Sequence, residues 1–326
     1  MITQDDIFNI DSEADFSHTA LNMFAFQFEH NSVYRSFCDL LNVHPSDIKT
    51  IEDIPFLPIE FFKSHAIRST DLPVEHIFTS SGTTGLNSSQ HIVANLQFYE
   101  RSFRSGFAHF YGDIEEYVVL ALLPNYLERD GSSLIYMVND LIKQSKHPES
   151  GFYLRNHEDL KERLIELNAR KQKTLLIGVS FALLDLVETY SFSLEHTIIM
   201  ETGGMKGQRK EIIREELHRI LKDGFGVPLI HSEYGMTELL SQAYSKGQSM
   251  FETPPWMRIL IRDTEDPLHL LPNGKTGGVN IIDLANLHSC AFIATQDLGR
   301  AYSDQSFEIL GRFDHSDIRG CNLLVL

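Results

Sequence analysis

Ser80, Ser81, Gly82, Thr83, Thr84 and Gly85 form an unbroken run in which two serines lead into Gly-Thr-Thr-Gly. Hydroxyls and unblocked backbone N–H groups gathered in one turn are what a polyphosphate needs. Phe78 and Thr79, just before the run, read as the end of a strand. The run is not the NTPase P-loop, because no Gly-Lys-Ser/Thr follows it. A Ser/Thr/Gly surface loop is the competing reading. Further along lie three more runs with chemical content: Glu-Tyr-Gly-Met-Thr-Glu at 233–238, Thr-Gln-Asp-Leu-Gly-Arg at 295–300 and Gly-Arg-Phe-Asp-His-Ser-Asp-Ile-Arg-Gly at 311–320.

These four runs, in this order, resemble the motifs of adenylate-forming enzymes, the superfamily of acyl-CoA synthetases, luciferases and peptide-synthetase adenylation domains. Pro-Phe-Leu-Pro-Ile-Glu-Phe-Phe-Lys-Ser-His-Ala-Ile at 55–67, Thr-Gly-Gly-Met-Lys-Gly at 202–207 and the ending Asp-Ile-Arg-Gly-Cys-Asn-Leu-Leu resemble one branch in particular. That branch is the LuxE-type acyl-protein synthetases, fatty-acid-activating subunits of fatty-acid reductase systems. The phenylacetate-CoA ligase branch shares the phosphate loop and the Tyr-Gly-Met-Thr-Glu type of motif.

The resemblance implies roles. Adenylation joins a carboxylate to the α-phosphate of ATP and expels pyrophosphate, so two anions meet and need positive charge, commonly Mg2+, and fixed N–H donors. Ser80 to Gly85 would cradle the phosphates, and Gly203 and Gly204 would flank adenine. Tyr234 can stack on the base while Gly235 and Met236 run beside it. Thr237 matches the position that meets the α-phosphate, and Glu238 the position that holds Mg2+, a hard cation suited to a carboxylate. Asp297 matches the acceptor of both ribose hydroxyls, Arg312 a contact to ribose or phosphate, and Asp314 the hinge. Relatives commonly carry a lysine just beyond the phosphate loop; here Leu-Asn-Ser-Ser-Gln follows. The missing charge must come from elsewhere, and Lys206 is either one source or a solvated lysine.

Adenylate-forming enzymes commonly continue past the hinge into a mobile lid with a catalytic lysine, whereas six residues follow Gly320 here. The expectation is a C-terminal tail without a lid, carrying Cys321 two positions from Arg319. A thiolate attacks mixed anhydrides readily, and a neighbouring cation favours it. In the LuxE-type group the acyl chain is passed to a cysteine near the C-terminus, and the resemblance implies that role for Cys321; a small buried apolar residue is the alternative. Cys38 and Cys290 read as core. His231 reads as a polar strand end or as a helper for a thiol.

The chain has 326 residues, a formal net charge of −17, 42% hydrophobic and 22% charged residues. That acidity argues against nonspecific nucleic-acid binding and an anionic membrane face. The N-terminus lacks the pattern of a signal peptide. No apolar run approaches the roughly 18 residues of a spanning helix. Three cysteines show neither a disulfide framework nor zinc spacing, which fits a cytoplasmic protein.

Apolar runs at 117–123, 174–179, 197–200 and 227–230 read as buried strands. Residues 132–145, 156–171 and 208–223 read as amphipathic helices, the last ending at Gly224. The aromatic stretch from Phe98 to Tyr111 reads as core or as the lining of an acyl pocket. From Trp256 onward short strands at 258–261, 278–282 and 291–294 alternate with turns. The expected fold class is α/β, the large domain of adenylate-forming enzymes with parallel or mixed sheets flanked by helices plus a small β subdomain. Its expected parts are an adenylation core at 1–250, a β subdomain at 251–312 and a tail at 313–326. The functional expectation is ATP-dependent activation of a fatty acid or other carboxylic acid, then transfer to a protein thiol and an acyl-acceptor protein. A phenylacetate-type CoA ligase and a non-catalytic nucleotide-binding protein are the alternatives.

Overall fold

The computed structural model of the protein describes residues 2–80, 88–124, 131–154, 156–203 and 212–313. Its helices are α1 (Gln4–Phe8), α2 (Glu13–His30), α3 (Ser32–Leu40), α4 (Phe61–Ser64), α5 (Leu96–Tyr111), α6 (Ser133–Ser145), α7 (His157–Ala169), α8 (Ser180–Thr189) and α9 (Arg214–Phe225). Its strands are β1 (Leu57–Pro58), β2 (His76–Thr79), β3 (Gln90–Val93), β4 (Val118–Leu122), β5 (Gly151–Phe152), β6 (Thr174–Val179) and β7 (Thr197–Thr202). They continue with β8 (His231–Tyr234), β9 (Ala243–Ser245), β10 (Met257–Arg262), β11 (Thr276–Asp283), β12 (Phe292–Ala301) and β13 (Phe307–Arg312).

One sheet runs β5-β4-β6-β7-β8-β9, parallel except for the antiparallel β9. β4 and β6 are buried at every position, which is why they read as continuous apolar runs: helices cover both faces of a parallel sheet. Ser132 caps α6 and Asn156 caps α7, each accepting a backbone N–H in the first turn. Phe98, Tyr99, Phe103, Phe107 and Phe110 on α5 are buried in the common core. Full burial of one such ring is worth roughly 1.5–3 kcal/mol.

A second sheet orders β1-β12-β11-β10, with β13 also on β12. The strands expected after Trp256 are there, joined by β1, which pairs parallel with β12 (Leu57 with Ile293, Pro58 with Ala294). β2 and β3 form a separate antiparallel hairpin.

Two expectations are corrected. The run 227–230 is not a strand; pairing begins at His231, and Pro228 has no N–H to give a ladder. Helix α9 does not stop at Gly224. It continues to Phe225 and is capped by Gly226 at φ 65°, while Gly224 lets α9 approach Val187, 2.4 Å from where a Cβ would stand. The strand end expected just before the Ser80–Gly85 run is there: Phe78 and Thr79 close β2, in the β2–β3 hairpin. No helix among the described residues is long and apolar enough to cross a membrane.

Candidate active site

The hairpin sets the start of the Ser80–Gly85 run. Ser80 N–H donates to the Ser89 carbonyl at 3.0 Å, and Ser89 N–H donates to Ser80 Oγ at 2.8 Å. Thr79 N–H is held by the Gly131 carbonyl at 2.8 Å. Ser81, Gly82, Thr83, Thr84 and Gly85 lie outside the described residues, as do Gly204, Lys206, Asp314 and Cys321.

β7 and β8 are parallel neighbours whose carboxyl ends carry the next groups, the place where ligands bind such sheets. Gly203, exposed and at φ 67°, follows β7, and its carbonyl accepts the Ser180 hydroxyl at 2.8 Å. The Thr202 hydroxyl donates to the buried Glu233 carboxylate. A Cβ on Gly235 would stand 2.5 Å from that carboxylate, so a residue without one fits the turn.

After β8 the chain turns through Gly235, Met236 and Thr237, all half-buried, into Glu238. Leu239 N–H closes the turn on the Met236 carbonyl at 3.1 Å. Glu238 is buried, 5% exposed. That burial raises its carboxyl above the ordinary carboxylate value, opposed by a hydrogen bond with Ser89 and the fields of Arg312 and Lys63. Through Ser89, Glu238 is tied to Ser80, where the Ser80–Gly85 run begins. Lys63, on α4, is a cation that the sequence reading passed over although it lies within the run 55–67.

On the other side of the turn, the Tyr234 hydroxyl donates to Asp297 Oδ2 at 2.7 Å, and Arg312 Nε lies 3.1 Å from Asp297 Oδ1. Asp297 and Arg312 are cross-strand partners on β12 and β13. The Arg312 side chain is 70% exposed, so only its inner nitrogen is committed. The Tyr234 ring is bounded edge-on by Phe251 and Phe307, with centroids 6.0 and 5.9 Å away. Burial and the Asp297 charge hold its phenol protonated, well above the ordinary tyrosine value.

The structure therefore brings together Ser80, Tyr234, Gly235, Met236, Thr237, Glu238, Asp297 and Arg312, with Gly203 ending the strand beside β8. His231 stands at the first position of β8, opposite the turn, with Nδ1 3.2 Å from the Tyr111 hydroxyl. Cys38 and Cys290 are fully buried, and burial pushes both thiols up to about 12. Neither supplies a thiolate near neutral pH.

The chain matches the family model "Acyl-protein synthetase, LuxE" over residues 8–108. It is 23% identical to a long-chain-fatty-acid–luciferin-component ligase of Vibrio harveyi, over 92% of this chain and 84% of that protein. To the protein of the same name from Aliivibrio fischeri it is 25% identical, over 92% and 85%. Among solved structures, ATP-bound MatB of Rhodopseudomonas palustris superposes with a TM-score of 0.56 at 17% identity, over 75% of this chain and 50% of MatB. A 2-hydroxyisobutyryl-CoA ligase superposes with a TM-score of 0.66 at 13% identity, over 93% of this chain and 70% of that one. The chain thus spans about half the length of MatB. It is similar to the LuxE acyl-protein synthetases, and its fold is that of the large domain of adenylate-forming enzymes.

Proposed function

We propose that this chain is a ligase that activates a fatty acid with ATP and passes the acyl group to a cysteine thiol, Cys321, for delivery to an acceptor protein. The observation that carries the reading is the convergence of Tyr234, Asp297 and Arg312 on one side of the 234–238 turn and of Glu238, Ser89 and Ser80 on the other. The names of the Vibrio and Aliivibrio relatives, long-chain-fatty-acid–luciferin-component ligases, supply the acid and the kind of acceptor.

In this reading Asp297 accepts the ribose hydroxyls; each of its oxygens has lone-pair capacity beyond the single contact it makes to Tyr234 or Arg312. The Tyr234 ring and Gly203 border the base. Ser80 and the residues up to Gly85 take the phosphates, with Arg312 and Lys63 supplying positive charge. The fatty-acid carboxylate attacks the α-phosphorus, the bond to the bridging oxygen of pyrophosphate breaks, and pyrophosphate leaves with that electron pair. The Cys321 thiolate, its proton released to water, then attacks the acyl carbon, and AMP leaves.

A Mg2+ ion fits one residue here. Glu238 is a buried carboxylate beside the phosphate-loop foot, and a cation offsets the burial that disfavours its charge. Among the described residues no three His, Cys, Asp or Glu side chains converge. The ion would be held by Glu238 and the nucleotide phosphates, in the usual manner of Mg2+, and would neutralise charge on those phosphates.

The test is incubation of the protein with ATP, Mg2+ and radiolabelled long-chain fatty acid. Hydroxylamine-labile label on the parent, lost in Cys321→Ser while carboxylate-dependent ATP–pyrophosphate exchange persists, supports the reading. Label retained by Cys321→Ser moves the nucleophile elsewhere. Release of acyl-CoA on adding CoA, without protein label at any time, replaces the acceptor with CoA. Absence of exchange in the parent overturns the activity.

A further inference from the structure

Two buried side chains hold the Thr237–Glu238 turn from behind, and the roles above leave both unused. His91, on β3 two residues after Ser89, is fully buried. Its Nδ1 lies 2.8 Å from the Thr237 carbonyl oxygen. A carbonyl only accepts, so Nδ1 carries the hydrogen and the ring donates. Asn286, closing the 3-10 turn Leu284–Asn286, is fully buried as well, and its Nδ2 donates to the Glu238 carbonyl at 3.0 Å. Its side chain lies near enough to bear on the charge of the His91 ring, and His91 Nε2 and Asn286 Oδ1 are both buried with no hydrogen-bond partner among the described residues.

Both props are themselves anchored. Gln27 on α2 donates to the Asn286 carbonyl at 2.8 Å. Asp283, three residues earlier, accepts the N–H groups of Leu240 and Ser241 at 2.8 and 3.0 Å, pinning the chain just beyond Glu238. The Phe62 ring stands edge-on to His91 at 5.7 Å.

The geometry of a peptide chain gives these contacts a specific consequence. The Thr237 carbonyl belongs to the peptide plane before the Glu238 Cα, and the Glu238 carbonyl to the plane after it. Peptide units are rigid, and the backbone turns only about φ and ψ. With both flanking planes held, φ and ψ of Glu238 are set, and with them the direction of its Cα–Cβ bond. Because His91 sits on the strand that leaves the phosphate loop, it also ties that direction to the loop.

We propose that His91 and Asn286 are positioning residues for adenylation, holding the two peptide planes that flank Glu238 so that its carboxylate meets Ser89 at the foot of the phosphate loop. This rests on the reading of Glu238 as a catalytic group given above. Neither side chain touches substrate; they act through Glu238.

The test compares His91→Asn, His91→Gln and His91→Leu with Glu238→Gln by carboxylate-dependent ATP–pyrophosphate exchange. The asparagine amide places a donor near the Nδ1 position. The glutamine amide sits one bond further out, and leucine has no donor. His91→Leu and His91→Gln are expected to lose kcat by about 10- to 100-fold, the scale of a misplaced catalytic group. KM for ATP should stay within about twofold, and His91→Asn within about threefold of the parent in kcat, since only transition-state alignment is altered. Parental kcat in His91→Leu, or in His91→Gln should the leucine variant fail to fold, overturns the proposal. So does an equal kcat loss in His91→Asn and His91→Gln, or a loss confined to KM. Undiminished exchange in Glu238→Gln instead overturns the site reading on which the proposal stands, so the two failures are told apart.

Discussion

Asp297 receives the Tyr234 hydroxyl on one oxygen and the Arg312 Nε on the other, at 2.7 and 3.1 Å, so strand β8 and the last two strands of the second sheet meet on one carboxylate. Tyr234→Phe keeps the ring and removes only the donor. A net hydrogen bond is worth about 0.5–1.5 kcal/mol, so KM for ATP in pyrophosphate exchange is expected to rise about three- to tenfold. Asp297→Asn should do more, since its amide nitrogen turns a donor toward groups that themselves donate. Unchanged KM in both variants would remove Asp297 from the nucleotide site.

Glu238→Gln separates stability from chemistry. The carboxyl is buried, and burial lifts it above its ordinary value, so its charged form is the less favoured one inside the fold. The isosteric amide is expected to leave the midpoint of urea unfolding at neutral pH unchanged or higher. Pyrophosphate exchange should fall on the order of a hundredfold or more, as when a fixed electrostatic contact to a transition state is removed. A variant that loses activity only in proportion to lost folded protein would contradict this.

His91 and His231 make folding sensitive to acid. Burial first of all lowers both from 6.5 to about 4, with the Lys246 charge adding to the effect at His231. A histidine depressed in the fold is protonated more readily in the unfolded chain. Its contribution is therefore full above 6.5 and is lost as pH falls from 6.5 towards 4. At about 1.4 kcal/mol per pH unit, each accounts for on the order of 3 kcal/mol across that window. Urea unfolding at a series of pH values should show this fall, and His231→Gln should make it shallower by about one proton. An unaltered slope would show that His231 is free to ionise in the folded protein.

Cys38 and Cys290 are expected to resist iodoacetamide in the native protein and to react once it is unfolded. Both are fully buried with thiols raised to about 12, and alkylation needs an accessible thiolate. Peptide mapping after a brief native exposure reads this directly; native labelling of either cysteine would make it a candidate acyl carrier beside Cys321.

What was legible in advance depended on how far apart in the chain the deciding partners stood. The Ser132 and Asn156 caps and the apolar runs of β4 and β6 are local or periodic signals, and the helices and strands fell where those signals placed them. Val227 to Ile230 read as a strand on their apolar residues, yet Pro228 has no N–H to give a ladder, and pairing starts with the polar His-Ser-Glu-Tyr, where Glu233 takes the Thr202 hydroxyl and Tyr234 reaches Asp297. Gly224 read as a helix stop because its second role, admitting Val187, depends on a neighbouring helix. His91 gave no local signal at all: its partner, Thr237, lies 146 positions away. Glu238 was singled out through its motif, but its burial comes from packing that the local sequence does not record.

The two-residue strand β1 has a bearing on how the protein is made. Leu57 and Pro58 find their partners at Ile293 and Ala294, on the same strand that carries Asp297. A ribosome releases the first pair long before the second exists, so the N-terminal segment must wait, with Leu57 and its apolar neighbours uncovered, until nearly the whole chain has emerged. Closing so long a loop is entropically costly and slow compared with local contacts. The parallel sheet from β4 to β8 has no such dependence and is free to assemble earlier. During synthesis the contacts of Asp297 with Tyr234 and Arg312 thus form late, and a chain shortened at its N-terminus would leave the β12 edge open to pairing with other chains.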